Sequence, residues 1–310
     1  MDKGNRTTME FIFISFSNVP ELQYFLFTSF LCIYCISVAA HMFLIVVYNL
    51  SSNLHTPMYF FLANFSFLEE CYISTITPNM LKNLLSTDKT ITFYGCAMQM
   101  YCFLLLGATE CYLLAAMAYD RYNAICQPLL YNVIMCRNAC VKLIMCSWII
   151  GFTVAIIQTF LTFSLPFCGP NKINHFYCEI PPVMALACTD TQFNEIVTFI
   201  IVLLVIVGAF LLTIVSYTRI IWTIIKHHSA AGIKKTFSTS TSHLIVVTIF
   251  YGSGSVMYLR PKSTYGTDMD KFISLMYTVI APLLNPFIYS FRNNDVKYAV
   301  RKMMHDIKIG

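Results

Sequence analysis

Long stretches of the chain contain no Asp, Glu, Lys or Arg, and short polar segments separate them. These uncharged stretches cover residues 22–68, 90–109, 143–171, 196–218, 236–259 and 272–291. A helix needs about 20 predominantly apolar residues to cross roughly 30 Å of hydrocarbon. Each stretch is therefore long enough for at least one membrane-spanning helix.

The first stretch is too long for one span, and the polar, turn-forming segment SSNLHTP at residues 51–57 divides it. Seven helices are predicted, at about residues 24–50, 57–85, 93–125, 139–164, 194–226, 234–260 and 270–290. An eighth, amphipathic helix at about residues 292–305 mixes bases with apolar residues, which suits the inner membrane surface. The predicted fold class is all-α: a single domain over residues 1–310, with a seven-transmembrane helix bundle and a short amphipathic eighth helix.

Composition supports a membrane protein and excludes several soluble classes. Hydrophobic residues make up 57% of the chain and charged residues 11%, against roughly 25% charged in ordinary soluble domains. The composition excludes a cytosolic enzyme, a disordered regulator and a nucleic-acid binder, and the net charge of +5 is too small to indicate a polyanionic partner. We expect membrane lipid to surround the protein, and we expect no nucleic acid as a partner.

Charge placement predicts the orientation. Of the 20 Lys and Arg residues, 12 fall on the side of the C-terminus and 8 on the other side. The positive-inside rule then makes the C-terminus cytoplasmic and the N-terminus extracellular. Asn5 begins a glycosylation sequon, which fits an outside N-terminus. No cleavable signal peptide is recognisable, so the first helix is expected to act as the insertion signal.

Four of the 13 cysteines lie on the predicted outer side, namely Cys96, Cys168, Cys178 and Cys188. An oxidising compartment favours two disulfides among them. Three pairings are open, and the spacing alone does not choose among them.

Five motifs occur in order, each at a predicted helix end. They are LHTPMYFFL (54–62), MAYDRYNAIC (117–126), SYTRII (216–221), KKTFSTSTSHL (234–244) and PLLNPFIYSFRN (282–293). Together they closely resemble the olfactory receptors, a branch of the rhodopsin-like G-protein-coupled receptors, and the loop HFYCEIPPVMALACTD (175–190) resembles the tetrapod type. The resemblance covers the whole chain. Three positions depart from the family pattern: His41 replaces Asn, Asn123 replaces Val and Ser240 replaces Cys.

The resemblance implies a function and partners. It implies an odorant receptor in the plasma membrane that activates a stimulatory, olfactory-type G protein and raises cyclic AMP. Neither enzymatic activity nor a cofactor is expected. The resemblance also implies the disulfides Cys96–Cys178 and Cys168–Cys188. His175, Cys178 and Glu179 match a suggested metal-binding pattern of the family, although an oxidised Cys178 would be a poor ligand.

Resemblance also assigns an activation switch to seven residues: Asp120, Arg121, Tyr122, Tyr217, Asn285, Pro286 and Tyr289. Arg121 is expected to stay near Asp120 at rest and to turn toward Tyr217, Tyr289 and the G protein on activation. Asn285-Pro286 breaks the helix locally and is a candidate moving joint. The alternatives are interfacial charges that only fix a helix end, and a structural kink that does not switch.

Glu69 and Glu110 are ionisable residues inside predicted spans, where they are expensive and usually face the bundle interior. The resemblance places both near Asn285 and His41. Two nearby carboxylates repel unless they share a cation or a proton. The hypothesis is a sodium or proton site that stabilises the inactive state. The alternative is two neutral acids that hydrogen-bond neighbouring helices.

A ligand pocket is expected, by resemblance, in the outer half between helices three, five, six and seven. Candidate lining residues follow the helical period: Met100, Phe103, Leu104, Gly107, Ala108, Cys111, Ile201, Val202, Val205, Tyr251, Gly254, Ser255, Tyr258, Ser274 and Thr278. The helix-three face carries no Asp, which argues against a biogenic amine. The hydroxyls favour a neutral alcohol, ketone, aldehyde or ester, and ordinary helix packing is the alternative for each residue.

Three other classes fit less well. A transporter should show repeated halves, and a membrane metalloenzyme needs clustered ligands, whereas the seven histidines are scattered. A ligand-gated channel is compatible with the composition, but no filter-like sequence occurs. A requirement for a G protein would distinguish a receptor from a channel.

Overall fold

The computed structural model of the protein describes residues 10–14, 19–227, 230–258, 268–291 and 294–309. Asn5 lies outside these residues, so its glycosylation stays a prediction. The helices are α1 (Pro20–Leu50), α2 (Pro57–Leu85), α3 (Phe93–Cys126), α4 (Tyr131–Ile134), α5 (Arg137–Phe163), α6 (Ile180–Met184), α7 (Gln192–Val202), α8 (Gly208–His227), α9 (Ala230–Tyr258), α10 (Asp268–Leu275), α11 (Ala281–Phe291) and α12 (Asn294–Ile309). A 3₁₀ turn at Ser52–Leu54 connects α1 to α2.

Within the described residues, seven long helical rods form the bundle. Five of them are single helices, and each of the other two consists of two shorter helices joined end to end. A π-helical turn, Leu203–Val207, joins α7 to α8, and a second, Met276–Ile280, joins α10 to α11. Five rods are long and apolar enough to cross a membrane: Pro20–Leu50, Phe93–Cys126, Arg137–Phe163, Gln192–Lys226 and Met269–Tyr289. The other two, α2 and α9, carry more polar residues. The predicted seven-helix bundle with a terminal amphipathic helix is confirmed.

Local sequence signals explain where the helices begin. Pro20 and Pro57 stand in the first turns of α1 and α2, where the missing N–H costs no intrahelical bond. The Thr92 side chain accepts a hydrogen bond from Gly95 N at 3.1 Å and so caps α3. The central helix α3 packs against α2, α5, α8 and α9.

A small sheet at one end of the bundle was not predicted from the sequence. Its central strand β1 (Glu10–Phe13) pairs antiparallel with β2 (Thr90–Thr92) and parallel with β3 (Lys172–Ile173). Phe11 and Phe13 are buried, which is the period-2 alternation of a half-buried strand. Four residues are too short for that alternation to predict a strand by itself.

Candidate ligand pocket and activation switch

A cavity of about 90 Å³ lies between α3, the α7–α8 rod, α9 and the loop helix α6. Its walls are almost entirely apolar or aromatic. Aromatic rings pack together at one side of the cavity: Phe103 contacts Tyr72, Tyr177 and Tyr277, with ring centroids 5.0–6.4 Å apart. The size and apolar lining suit a small volatile molecule rather than a peptide.

Ten predicted pocket residues line this cavity: Phe103, Leu104, Gly107, Ala108, Cys111, Ile201, Val202, Val205, Tyr251 and Gly254. The helical period of α3 is the reason for the agreement on that helix. Seven further lining residues were missed: Tyr72, Val154, Gln158, Ile180, Ile206, Phe250 and Tyr277. Gln158 gave a usable signal, because it is an amide within an otherwise apolar span.

Five predicted pocket residues are not among those that line the cavity. Met100 is fully buried in the cluster beneath the disulfide-linked loop, together with Cys96 and Cys178. Ser274 and Thr278 are buried within the last rod, where Thr278 Oγ1 donates to the Ser274 carbonyl at 2.6 Å.

Tyr277, at the start of the π-helical turn Met276–Ile280, lines the cavity on this rod instead. Ser255 lies one residue beyond the lining residue Gly254 and is only partly buried. The side chain of Tyr258 falls outside the part of the chain that the structure describes.

The long loop between α5 and α7 covers the end of the cavity near the start of α3, which we call its outer end. Both disulfides implied by the resemblance are present: Cys96–Cys178 joins the loop to the start of α3, and Cys168–Cys188 closes the loop on itself. Gln99 strengthens the first connection, because its Oε1 accepts from Cys178 N at 3.0 Å and its Nε2 donates to the Thr75 carbonyl at 3.1 Å.

A buried polar cluster connects this loop to the last rod. Tyr277 Oη donates to Glu179 Oε1 at 2.9 Å, so it accepts the hydrogen bonds from Tyr177 Oη at 2.8 Å and Ser274 Oγ at 3.1 Å. His175 Nε2 lies 3.3 Å from Glu179 Oε2. The loop and the last rod are therefore held together by hydrogen bonds around Tyr277.

His175 is neutral in this cluster. Burial and the nearby Lys271 charge lower the pKa of His175 to about 3, while Asp270 acts in the opposite direction. Cys178 is oxidised and cannot supply a thiolate to a metal. Among the described residues, no group of three or more His, Cys, Asp and Glu side chains is placed to hold a metal ion.

At the other end of the cavity, which we call its inner end, four buried polar side chains form what we call the polar layer: Glu69, Glu110, Asn285 and His41. Glu69 lies about one turn from the lining residue Tyr72 on α2. All four side chains are at most 1% exposed. Asn285 Nδ2 donates to Glu69 Oε1, and the Glu110 carboxyl group lies close enough to Glu69 for the two groups to interact electrostatically. His41 Nε2 donates to the Pro282 carbonyl at 3.0 Å, which fixes its tautomer.

Three oxygens of the polar layer have no hydrogen-bond partner among the described residues: Glu69 Oε2, Glu110 Oε2 and Asn285 Oδ1. Unpaired buried oxygens of carboxyl and amide groups are the ligands that a hard cation prefers. This donor set therefore fits a sodium ion, and it also fits a proton shared between the two acids.

At the opposite end of α3, Asp120 and Arg121 form an ion pair. Arg121 Nε donates to Asp120 Oδ2 at 2.9 Å, and Tyr131 Oη of α4 donates to Asp120 Oδ1 at 2.8 Å. Burial and the Asp120 charge raise the pKa of Tyr131, so this hydroxyl stays a donor at physiological pH. Tyr122, the next residue, stacks on Tyr119 and accepts from Gln127 Nε2.

The tyrosines assigned to the switch do not contact Arg121 as hydrogen-bond partners in this arrangement. Tyr217 Oη is 2.7 Å from His243 Nδ1. Tyr289 Oη has no hydrogen-bond partner among the described residues, and Tyr289 lines a small cavity together with Arg121 and His243. Arg121 therefore pairs with Asp120 while a free tyrosine hydroxyl lies across a small gap.

Similarity to known proteins extends along almost the whole sequence. A family model described as olfactory receptor matches residues 30–307. The chain belongs to the olfactory receptor family. Human olfactory receptor 10A3 is 50% identical over 305 residues, which cover 98% of this chain and 97% of that receptor.

Two further relatives extend over similar lengths. Human olfactory receptor 5A2 is 46% identical over 302 residues, which cover 97% of this chain and 93% of that receptor. Human olfactory receptor 6N1 is 46% identical over 310 residues, which cover 100% of this chain and 99% of that receptor. This olfactory receptor is an odorant-sensing G-protein-coupled receptor and a multi-pass membrane protein; it is not an enzyme.

Proposed function

We propose that this olfactory receptor binds a small volatile odorant in the cavity beside α3 and activates a stimulatory, olfactory-type G protein, which raises cyclic AMP. The observation that carries the proposal is an apolar cavity beside the same helix that carries the Asp120–Arg121 pair near its other end. A ligand shifts the receptor toward its active state only if it binds that state more tightly.

The proposed ligand site consists of the ten predicted residues that line the cavity, together with the seven that were missed. Apolar walls bind the hydrocarbon part of an odorant through burial of apolar surface. Ser274 contributes indirectly in this proposal, because its hydroxyl bonds that of Tyr277, and Thr278 bonds the Ser274 carbonyl within the same rod.

The proposed switch starts from the Asp120–Arg121 pair. On activation Arg121 leaves Asp120 and turns toward Tyr217, Tyr289 and the G protein, while Asn285-Pro286 acts as a joint in α11. The free Tyr289 hydroxyl beside Arg121 supports this proposal, since an unpaired buried hydroxyl gains a partner when the guanidinium turns toward it. Pro286 lies inside the helix and removes one backbone donor there.

The polar layer is proposed as a sodium or proton site that stabilises the inactive state. Its three unpaired oxygens support either occupant, and both would reduce the repulsion between Glu69 and Glu110. Two neutral acids without a bound ion are the alternative, and sodium dependence of the agonist response distinguishes them.

We also propose that the receptor resides in the plasma membrane with its N-terminus outside and its C-terminus in the cytoplasm. The segment Glu10–Phe13 lies in the same small sheet as Lys172–Ile173, close to both disulfides, and disulfides form on the oxidising side of a membrane. At the other end, α12 carries the bases and apolar residues of a helix that contacts inner-leaflet lipid. Tyr59 Oη donates to Asp295 Oδ2 at 3.0 Å and connects α12 to α2.

The test is a cyclic AMP assay in cells that express the receptor with an olfactory G protein, screened against a diverse odorant panel. Arg121→Ala should abolish the odorant response while surface expression is kept. Arg137→Ala, an exposed arginine at the start of α5, serves as the matched control and should retain the response. An odorant response that persists in cells lacking the G protein would instead support a ligand-gated channel.

A further inference from the structure

Gln158 is a buried amide in the wall of an otherwise apolar cavity. It lies on α5, its side chain is 1% exposed, and it lines the cavity beside α3. Thr198 Oγ1 of α7 donates to Gln158 Oε1 at 3.0 Å. Gln158 Nε2 has no hydrogen-bond partner among the described residues. A buried polar group without a partner is rare enough to need an explanation.

Gln99 shows what a structural glutamine looks like in the same bundle. Both ends of its amide are used, Oε1 by Cys178 N and Nε2 by the Thr75 carbonyl. Gln158 differs because only its oxygen is used, by Thr198. The free end of Gln158 is a donor of two N–H groups, since an amide nitrogen donates and does not accept.

The hydroxyl groups of Tyr251, Tyr277 and Ser274 are already hydrogen-bonded within the protein. Tyr251 Oη donates to the Cys111 carbonyl at 2.6 Å. Tyr277 Oη donates to Glu179, and Ser274 Oγ bonds Tyr277. A ligand would have to break these bonds to use the hydroxyl protons, whereas Gln158 Nε2 offers its protons at no such cost.

We propose that Gln158 selects the ligand class of this receptor by donating a hydrogen bond to an acceptor oxygen of the odorant. Thr198 is the positioning residue, because its bond to Oε1 leaves the nitrogen as the free end. This inference rests on the proposed odorant site and narrows its ligands to molecules with an acceptor oxygen, such as aldehydes, ketones, esters and ethers. An alcohol also binds through its oxygen lone pairs, whereas a hydrocarbon of the same size leaves the N–H groups unpaired.

The test measures binding directly, with four volatile compounds of equal heavy-atom count: hexane, pentanal, butyl methyl ether and pentanol. Each is titrated into the purified receptor in nanodiscs, and the ligand-induced rise in melting temperature gives an apparent Kd. The variants are Gln158→Met, Thr198→Val and, as a matched control for the Gln-to-Met change, Gln192→Met at the exposed start of α7.

Loss of one buried hydrogen bond corresponds to an affinity loss of about tenfold. Gln158→Met should therefore weaken pentanal and butyl methyl ether about tenfold and leave hexane unchanged. Thr198→Val should weaken the same two compounds by a smaller factor, because the amide remains but is free to rotate. Gln192→Met should behave as the unmodified receptor.

Three results would overturn the inference. The first is equal binding, or no binding, of hexane and pentanal to the unmodified receptor. The second is a Gln158→Met variant that keeps the preference for pentanal. The third is binding of pentanol without binding of pentanal or the ether, which would mean that the amide oxygen is the free end.

Binding and signalling are read separately, so the two proposals fail in different ways. A Gln158-dependent preference without any cyclic AMP response would contradict the proposed coupling and leave the inference standing. A cyclic AMP response to odorants that does not depend on Gln158 would leave the coupling standing and overturn the inference.

Discussion

The two sides of α3 use glycine for opposite purposes. On the side of α5, a Cβ atom added to Gly151 would clash with Thr109 Oγ1 and lie 2.5 Å from the Leu105 carbonyl oxygen. On the side of the cavity, a Cβ added to Gly107 would have its nearest neighbour, Tyr72 Cε2, at 3.7 Å. We call these the closed side and the open side of α3. A tight contact on one side therefore keeps the central helix in place, while the other side leaves room for a ligand.

The open side is bounded at both ends by polar groups. The disulfide-linked loop and the cluster around Tyr277 cover its outer end, and the polar layer of Glu69, Glu110, Asn285 and His41 closes its inner end. The cavity between them is apolar apart from Gln158 and the tyrosine hydroxyls. The apolar walls therefore determine which ligand shapes fit the cavity, and the ionisable side chains lie at its two ends.

The largest expected effect is at the closed side. Gly151→Ala should reduce surface expression about tenfold or more, because overpacking a rigid contact typically costs about 1–3 kcal/mol. Surface labelling of intact cells measures the effect. Gly252→Ala is the matched control, since no atom lies within 4 Å of its added Cβ. Equal expression of the two variants would show that the α3–α5 contact is not closed.

On the open side, filling the cavity should affect ligand response rather than folding. Gly107→Leu is expected to raise the EC50 of an agonist about tenfold. The leucine side chain would occupy space that the ligand needs, and overpacking of this kind costs about 1–2 kcal/mol of binding free energy. Gly107→Ala adds only an ordinary contact and should change the EC50 much less. A dose–response curve normalised to surface expression measures both, and an unchanged EC50 in Gly107→Leu would move the ligand site elsewhere.

The inner end of the open side should respond to sodium. If the polar layer holds a sodium ion in the inactive state, replacing external sodium by an organic cation should lower the agonist EC50 by about threefold, a modest coupling. Glu110→Gln should remove this dependence, because it removes one of the charged oxygens. Glu70→Gln changes the same atoms one residue away from Glu69, at a partly exposed position, and should keep it. Sodium dependence that survives Glu110→Gln would contradict the proposed site.

A pH dependence of stability is expected at the outer end of the open side. The pKa of His175 falls from 6.5 to about 3 on folding, so between these values the unfolded chain binds a proton that the folded chain does not. The stability that neutral His175 contributes is complete above pH 6.5 and decreases as the pH falls, by about 2 kcal/mol at pH 5.

Thermal unfolding of the purified receptor at pH 7.5 and pH 5 measures this change. His175→Phe should reduce the drop in melting temperature by a few degrees, and His55→Phe, at an exposed position, should not. An identical drop in the unmodified receptor and His175→Phe would show that His175 is not buried in its neutral form.

Much of the fold followed from where charges are missing. The 47-residue stretch over residues 22–68 had to be divided, and the turn before Pro57 divided it where the structure does. The strand Glu10–Phe13 escaped prediction because its partners, Thr90–Thr92 and Lys172–Ile173, are distant in sequence. Strand pairing of this kind is a tertiary effect that local periodicity does not report.

The site was predictable on the regular helix and less so elsewhere. Along α3 the period of 3.6 residues placed Phe103, Gly107 and Cys111 correctly on the open side. On the last rod Tyr277 was missed, and its neighbour Thr278 on the same π-helical turn was predicted to line the pocket. Gln158 was missed because the fourth membrane-spanning helix, α5, was not expected to reach the cavity. An amide in an otherwise apolar span is nevertheless a signal that the sequence alone provides.

The central claim is that a ligand on the open side of α3 controls nucleotide exchange at its other end. The direct measurement is the rate of nucleotide exchange on a purified stimulatory G protein, with the purified receptor in nanodiscs and with or without an agonist found in the cyclic AMP screen. We predict that this agonist accelerates exchange, that Arg121→Ala abolishes the acceleration, and that Gly107→Leu shifts it to higher agonist concentrations. An exchange rate that does not respond to any bound ligand, or an acceleration unchanged in both variants, would contradict the account.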